Sequence, residues 1–138
     1  MTYALDTNII SYLLWDEGSV RTHYKKEIIE AGNLYAVPPI VVYEIKRWLY
    51  DKPTRQLQIF SEQFDILLYP IRNKTEMPLV VWEKASDIYI GLKQRGQLIG
   101  DADILIAAYC LVNDYTLVTN NTDDFERIGD IKLVNWYY

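Results

Sequence analysis

Tyr3-Ala4-Leu5-Asp6-Thr7-Asn8-Ile9-Ile10-Ser11-Tyr12-Leu13-Leu14-Trp15, residues 3–15, is the stretch on which the reading of this chain turns. Tyr3-Ala4-Leu5 is a short apolar run that stops at a carboxylate. Beyond it the apolar residues recur at helical spacing, which predicts an amphipathic helix over residues 7–15. Asp6 stands between the two. An aspartate at a helix start is a good cap, since its carboxylate accepts a backbone N–H, a contact worth about 1 kcal/mol. The same position is also the end of a strand, and open α/β sheets bind ligands beyond the carboxyl ends of their strands. This stretch alone leaves both uses open.

Working outward, strand-like and helix-like segments alternate. A charged helix is predicted over 19–31, stopped by Gly32-Asn33. A strand over 34–37 leads to Pro38-Pro39, which suits the first turn of a helix over 40–50. Further helices are expected over 54–64, 75–95 and 102–112, and strands over 66–71, 115–119 and 132–134, with a short turn at 123–127. The helix over 75–95 carries Leu79, Trp82, Ala85, Ile88, Tyr89 and Leu92 as one stripe. Short apolar strands alternating with helices imply a parallel sheet covered on both faces. The expected fold is α/β, a three-layer α/β/α sandwich with a short parallel sheet, formed by a single domain over residues 1–138.

Composition narrows the chemistry. The chain has 138 residues, one cysteine (Cys110) and one histidine (His23). No internal disulfide is possible, and a thiolate/imidazole zinc site cannot be built. Cys110 lies in an apolar helical run and reads as a buried, inert thiol, while His23 sits among charges. Catalysis by this chain would fall to carboxylates, hydroxyls or backbone amides. No apolar stretch approaches the ~20 residues needed to cross a bilayer. The N-terminus lacks the basic start and apolar core of a signal peptide, so a cytoplasmic protein is expected.

The net charge is −5, yet it is unevenly spread. Residues 21–55 hold seven basic side chains against four acidic ones, a net of +3, and residues 101–130 hold seven acids against Arg127, a net of −6. Each run can be a solvated face. Together they also describe a cationic rim beside an anionic pocket that a divalent cation would make useful.

The acids fall at the strand ends. Asp6 follows the first strand, Glu44 lies in the helix after the second, and Asp103 lies in the first turn of the helix opened by Gly100-Asp101-Ala102. Asn120, Asn121, Asp123 and Asp124 follow the strand over 115–119. Thr7 can share the capping of the first helix, Asn8 can be a polar residue of its first turn, and Asn120-Asn121 is ordinary turn chemistry. Glu44 has Ile40, Val41, Ile45 and Trp48 as helical neighbours, so it needs either a cation such as Arg47 or a metal. Asp103 could cap its helix, although Asp101 is better placed to do so. All-oxygen ligand sets suit Mg²⁺ or Mn²⁺. Carboxylates around such ions can activate a water for in-line phosphoryl displacement with no histidine.

Four motifs now stand in order: Leu5-Asp6-Thr7-Asn8, Val42-Tyr43-Glu44-Ile45-Lys46-Arg47, Gly100-Asp101-Ala102-Asp103 running on to Ala108, and Leu117-Val118-Thr119-Asn120-Asn121-Thr122-Asp123-Asp124-Phe125. With the closing Ile131-Lys132-Leu133-Val134-Asn135-Trp136, the set resembles PIN-domain ribonucleases, and most of all the VapC toxins of toxin–antitoxin pairs. The resemblance implies a metal-dependent endoribonuclease that hydrolyses RNA phosphodiester bonds with a metal-activated water. It implies inhibition by a cognate VapB-type antitoxin, and a homodimer. Carried over by position, Asp6, Glu44 and Asp103 match the family's three principal acids, catalytic and metal-holding, with Mg²⁺ or Mn²⁺ as cofactor. Thr7, Asn8, Asn121 and Asp124 are supporting positions. The family's optional fourth acid falls near Asn121, an amide here, with Asp124 beside it. Trp48 stands where many relatives have glycine, and either packs in the core or offers a stacking surface to a base.

Two other classes compete. A phosphotransfer receiver domain would want an acidic pair after the first strand and a phospho-accepting aspartate after a middle strand, and the strand expected over 66–71 is followed by none. A PIN-like module that binds RNA or protein with weak catalysis or none is kept open by Asn121. Metal-dependent cleavage lost on Asp6→Asn separates it from the nuclease.

Overall fold

The computed structural model describes residues 1–72 and 76–138. Four short strands, β1 (Thr2–Leu5), β2 (Leu34–Ala36), β3 (Thr116–Val118) and β4 (Leu133–Val134), form one sheet in the order β2-β1-β3-β4. All three pairings are parallel, with Ala4 opposite Ala36 and Leu117, and Val118 opposite Val134. Helices cover both faces, as a parallel sheet of nearly continuous apolar strands requires. The chain leaves β1 for β2 on one side and later returns to β3 on the other. The carboxyl end of β1 is therefore the point where the strand order reverses.

The helices are α1 (Thr7–Trp15), α2 (Val20–Tyr24), α3 (Pro39–Tyr50), α4 (Thr54–Leu68), α5 (Leu79–Gln94), α6 (Asp101–Asn113) and α7 (Thr122–Glu126). The last turns of the expected 19–31 helix widen into a π-helical segment, Lys25–Glu30. Pro39 opens α3, where a missing N–H costs nothing. Asp16 and Asp114 end α1 and α6 in the left-handed conformation, at φ 58° and 56°. A short polar side chain tolerates that conformation better than most. The core runs through the sheet into α1, α3 and α6, with Leu5, Ile9, Ile10, Val41, Ile45, Ile106, Ala107, Leu117 and Phe125 wholly buried. Among the described residues no helix is long and apolar enough to cross a membrane.

Two expectations fail here. Residues 66–71 are not a strand; they are the end of α4 and a tight 3₁₀ turn, Tyr69–Ile71. The buried side chains Phe60, Phe64, Leu67 and Ile71 recur every three or four residues, so the helical pattern continues through a run that looks extended when read alone. In α5 the core-facing residues are Val81, Ala85, Ile88 and Leu92, while Leu79, Trp82 and Tyr89 of the expected stripe are exposed. Helix α5 starts after Pro78, and Thr75, the expected first residue, lies outside the described residues.

Candidate active site

Asp6 is the first residue past β1, and its backbone N–H still donates to Val118 O at 3.0 Å as though the strand continued. Its side chain is buried, 4% exposed, and both carboxylate oxygens are engaged. Oδ1 accepts the Thr7 N–H at 2.7 Å, and Oδ2 accepts the Thr119 hydroxyl at 2.7 Å. Capping and site placement therefore coincide, since the contact that starts α1 also fixes the carboxylate.

Thr119 holds the same relation to β3 that Asp6 holds to β1. Its N–H donates to Val134 O at 3.0 Å, its side chain is fully buried, and its Oγ1 accepts the Asn121 N–H at 2.9 Å while donating to Asp6. Sequence reasoning passed over it as the end of a strand. The available signal was a threonine directly after Leu117-Val118, at the same step past its strand as Asp6 past Leu5.

Glu44 comes from the middle of α3. The apolar neighbours Val41 and Ile45 are buried, and Glu44 on the flank is half-buried. Its Oε1 accepts the Thr7 hydroxyl at 2.7 Å, so Thr7 ties two of the three acids together through its N–H and its hydroxyl. Arg47 is not a partner. Its guanidinium carbon lies 5.3 Å from the centre of the Tyr43 ring.

Asp103 enters from the first turn of α6, which begins after Gly100 with no side-chain cap. Asp101, expected to cap, is exposed and lines a groove of about 510 Å³ with Trp82, Tyr89, Ile90 and Leu105. Among the described residues no side chain donates to Asp103. Partial burial, then the charges of Asp6, Glu44 and Asp124, push its carboxyl up to about 6. Asp6 is also raised: burial is the main cause, the Thr119 and Thr7 donors work against it, and Glu44 adds to it. Burial, together with the charge of Asp6, pushes the Cys110 thiol upward, so this cysteine is no thiolate nucleophile.

The supporting residues divide. Asn8 accepts the Asn120 N–H on Oδ1 at 3.2 Å. Asn121 Nδ2 donates to Asp124 Oδ2 at 3.1 Å, and Asp124 Oδ1 is 3.5 Å from the Arg127 guanidinium. Asp124 thus reaches Asp103 with its field, while its own charge is partly answered. Trp48 packs inward: its ring stacks on Phe60, centroids 6.2 Å apart, and Lys52 Nζ lies 4.4 Å from its centre on α3.

The structure therefore brings Asp6, Glu44 and Asp124 within electrostatic range of Asp103 at the carboxyl end of the sheet. Among the described residues no three of them close into a ready cage. Like charges gathered without a cation are unfavourable unless something positive occupies the space. The donors are carboxylate and hydroxyl oxygens, and their open spacing fits a hard cation that keeps several waters and takes only one or two carboxylates directly.

The model of the PIN-domain family matches residues 3–131. This chain is a PIN domain. Its relatives lie in the VapC group: it is 33% identical to Ribonuclease VapC1 of Methanocaldococcus jannaschii over 89% of this chain and 85% of that protein. It is 28% identical to Ribonuclease VapC2 of Rickettsia felis over 99% of this chain and 98% of that one. The solved structure of VapBC2 from R. felis bound to a DNA fragment from their promoter superposes with a TM-score of 0.80, at 28% identity and 99% coverage of both chains. The PIN fold expected from the sequence is the fold observed.

Proposed function

We propose that this PIN domain is the endoribonuclease toxin of a toxin–antitoxin pair, working in the cytoplasm as one catalytic unit over residues 1–138. It hydrolyses RNA phosphodiester bonds with Mg²⁺ or Mn²⁺ held by Asp6, Glu44 and Asp103. The observation that carries this reading is the gathering of Asp6, Glu44 and Asp124 around Asp103, with no basic side chain paired to Asp103 among the described residues. The VapC relatives support the choice of RNA. When bound, the metal supplies charge for the developing phosphorane oxygens and lowers the pKa of the attacking water.

The rest is the work of the chain itself. The Thr7 N–H and the Thr119 hydroxyl hold the two oxygens of Asp6 in one orientation, and the Thr7 hydroxyl fixes Glu44. Among the described residues no side chain donates to Asp103, which leaves both its oxygens available. Hydrolysis forms one P–O bond to water and breaks one P–O bond of the backbone. The test is cleavage of total RNA by purified, antitoxin-free protein with Mg²⁺ or with EDTA, wild type beside Asp6→Asn. Discrete fragments requiring both the metal and Asp6 are expected; none from folded wild type would sink the reading.

A non-cutting RNA- or protein-binding module is the second reading. The observation favouring it is that Asn121, an amide near the place where the resemblance implies an optional fourth acid, engages Asp124 together with Arg127. The same assay separates the two. For partners, we infer a VapB-type antitoxin that inserts an arginine or lysine into the acidic crevice, where it replaces the metal's charge. A basic antitoxin peptide that leaves both Mg²⁺ affinity and cleavage unchanged would exclude that mode. A homodimer is proposed with the toxin reading, and sedimentation of the free protein checks it.

A further inference from the structure

The acids and threonines account for the chemistry, but a row of amides beside them is unused. Asn120 lies between Thr119 and Asn121, and its polar groups are engaged on three sides. Its N–H donates to Asn8 Oδ1 at 3.2 Å, its Nδ2 to the Tyr12 hydroxyl at 3.2 Å, and its Oδ1 accepts Asn135 Nδ2 at 2.8 Å. Asn135 is the first residue past β4, level with Asp6 past β1 and Thr119 past β3. Its own Oδ1 accepts the Tyr137 N–H at 2.9 Å.

The segment that follows is fastened independently. Trp136 is buried, edge-on to Tyr3 at 5.2 Å and stacked with His23 at 6.3 Å. Tyr137 O accepts the Ser19 N–H at 2.9 Å, and the Tyr12 and Tyr137 rings are 4.9 Å apart. Gly18, at φ +59°, lies so close that a Cβ there would stand 2.5 Å from Tyr137 O. Burial of Trp136 is enough to anchor this segment. The amide pair Asn135–Asn120 adds no comparable apolar burial; what it adds is direction, because donor and acceptor must face each other.

We propose that residues 135–138 form a positioning strap for the acidic site, with Asn135 acting through Asn120 to set the turn that carries Thr119 and Asn121. Thr119 is then held from β4 by its backbone and from Asn135 by its neighbour, which aims its hydroxyl at Asp6. None of the strap residues touches the reacting atoms. The consequence for metal binding rests on the nuclease reading; the strap's hold on the turn does not. Residues that orient metal-holding carboxylates typically alter metal affinity or activity 10- to 100-fold when changed.

The test compares Asn135→Ala, Asn135→Leu and Asn120→Ala with Asn33→Ala, an amide at the opposite end of the sheet that donates to Glu27. Leucine at 135 keeps the length of the side chain and removes both its donor and its acceptor, so it cannot restore the pair with Asn120. Two quantities are read on folded protein: hydrogen exchange of the Asn121 amide, and Mn²⁺ affinity by electron paramagnetic resonance. We expect the three strap variants to speed that exchange at least about tenfold and to weaken Mn²⁺ binding about 10- to 100-fold, with Asn33→Ala changing neither.

If Asn135→Ala fails to fold, Asn135→Leu and Asn120→Ala retain the buried Trp136 and decide the matter. Exchange and affinity both within about twofold of wild type would overturn the proposal. So would faster exchange with unchanged Mn²⁺ affinity, which reduces the strap to an anchor. If wild type binds no Mn²⁺ and cuts no RNA, the nuclease reading falls, and Asn121 exchange alone decides the strap.

Discussion

Asp6 and Asp103 lie within electrostatic range of each other and are held in opposite ways. Asp6 ends a strand and is clamped from two sides by a backbone N–H and a buried hydroxyl. Asp103 sits in the first turn of α6 with neighbouring charges and no donor among the described residues. One wall of the site is oriented in advance, at the cost of burying a charge. The other is left under repulsion, which a bound cation would relieve. Rigidity and unmet charge are thus assigned to different residues, and each can be tested separately.

The largest expected effect is on cleavage. Either Asp6→Asn or Asp103→Asn should cut the rate at least about a thousandfold, since the loss of several kcal/mol of charge stabilisation costs a factor of ten per 1.4 kcal/mol. Fragment yield under excess Mg²⁺ measures it, and a residual rate near wild type for either would remove that residue from the site. Thr119→Val should lower metal affinity or activity about 10- to 100-fold while leaving Asp103 untouched. Mn²⁺ titration of this variant checks whether the oriented wall matters apart from the charged one.

Stability should then separate the two acids. Metal-free Asp103→Asn is expected to melt higher than wild type, because a repelled charge is removed. Asp6→Asn should lose about 1–3 kcal/mol, because an amide nitrogen would face the Thr119 hydroxyl, which already serves Asn121. Denaturant unfolding of both without metal decides the signs. The pH response follows from the raised carboxyl: Asp103 goes from an ordinary 3.8 to about 6 in the folded chain. Between those values the folded state binds more protons than the unfolded state, so stability falls as pH rises through that window. Metal-free protein should therefore gain stability between pH 7.5 and pH 5, and Asp103→Asn should lose much of that gain. The smallest effect belongs far from either wall. Lys52→Ala, which removes the cation over Trp48, should cost about 0.5–1 kcal/mol of stability and leave cleavage intact.

How far the sequence could be read depended on whether the deciding contact was local. The succession Leu5-Asp6-Thr7 announces strand, acid and helix within three residues, and the structure keeps that order. Glu44 was legible as a carboxylate on an apolar face, but the choice of Thr7 over Arg47 as its partner spans 37 positions and leaves no trace in α3 itself. Thr119 was passed over because its use lies in the bond to Asp6, 113 positions away, which its place after Leu117-Val118 hints at and does not name. Residues 66–71 misled because a six-residue apolar run has no period of its own, and only the spacing back to Phe60 and Phe64 marks it as helix. The exposed Trp82 and Tyr89 misled differently, since aromatic size suggests burial and cannot say which side of a helix meets the core.

The hydrogen bond between Asp6 and Thr119 joins residues 113 positions apart. A ribosome making this chain therefore exposes the first acid long before the partner that aims it has been polymerised. At roughly 5–20 residues per second, the nascent protein travels along its own message for many seconds with an unassembled centre. The centre of the proposed nuclease is therefore incomplete until the segment carrying Thr119 has been made. Ribosome-bound chains stalled before Thr116 should cut nothing, and cleavage by such chains would show that the centre assembles without β3.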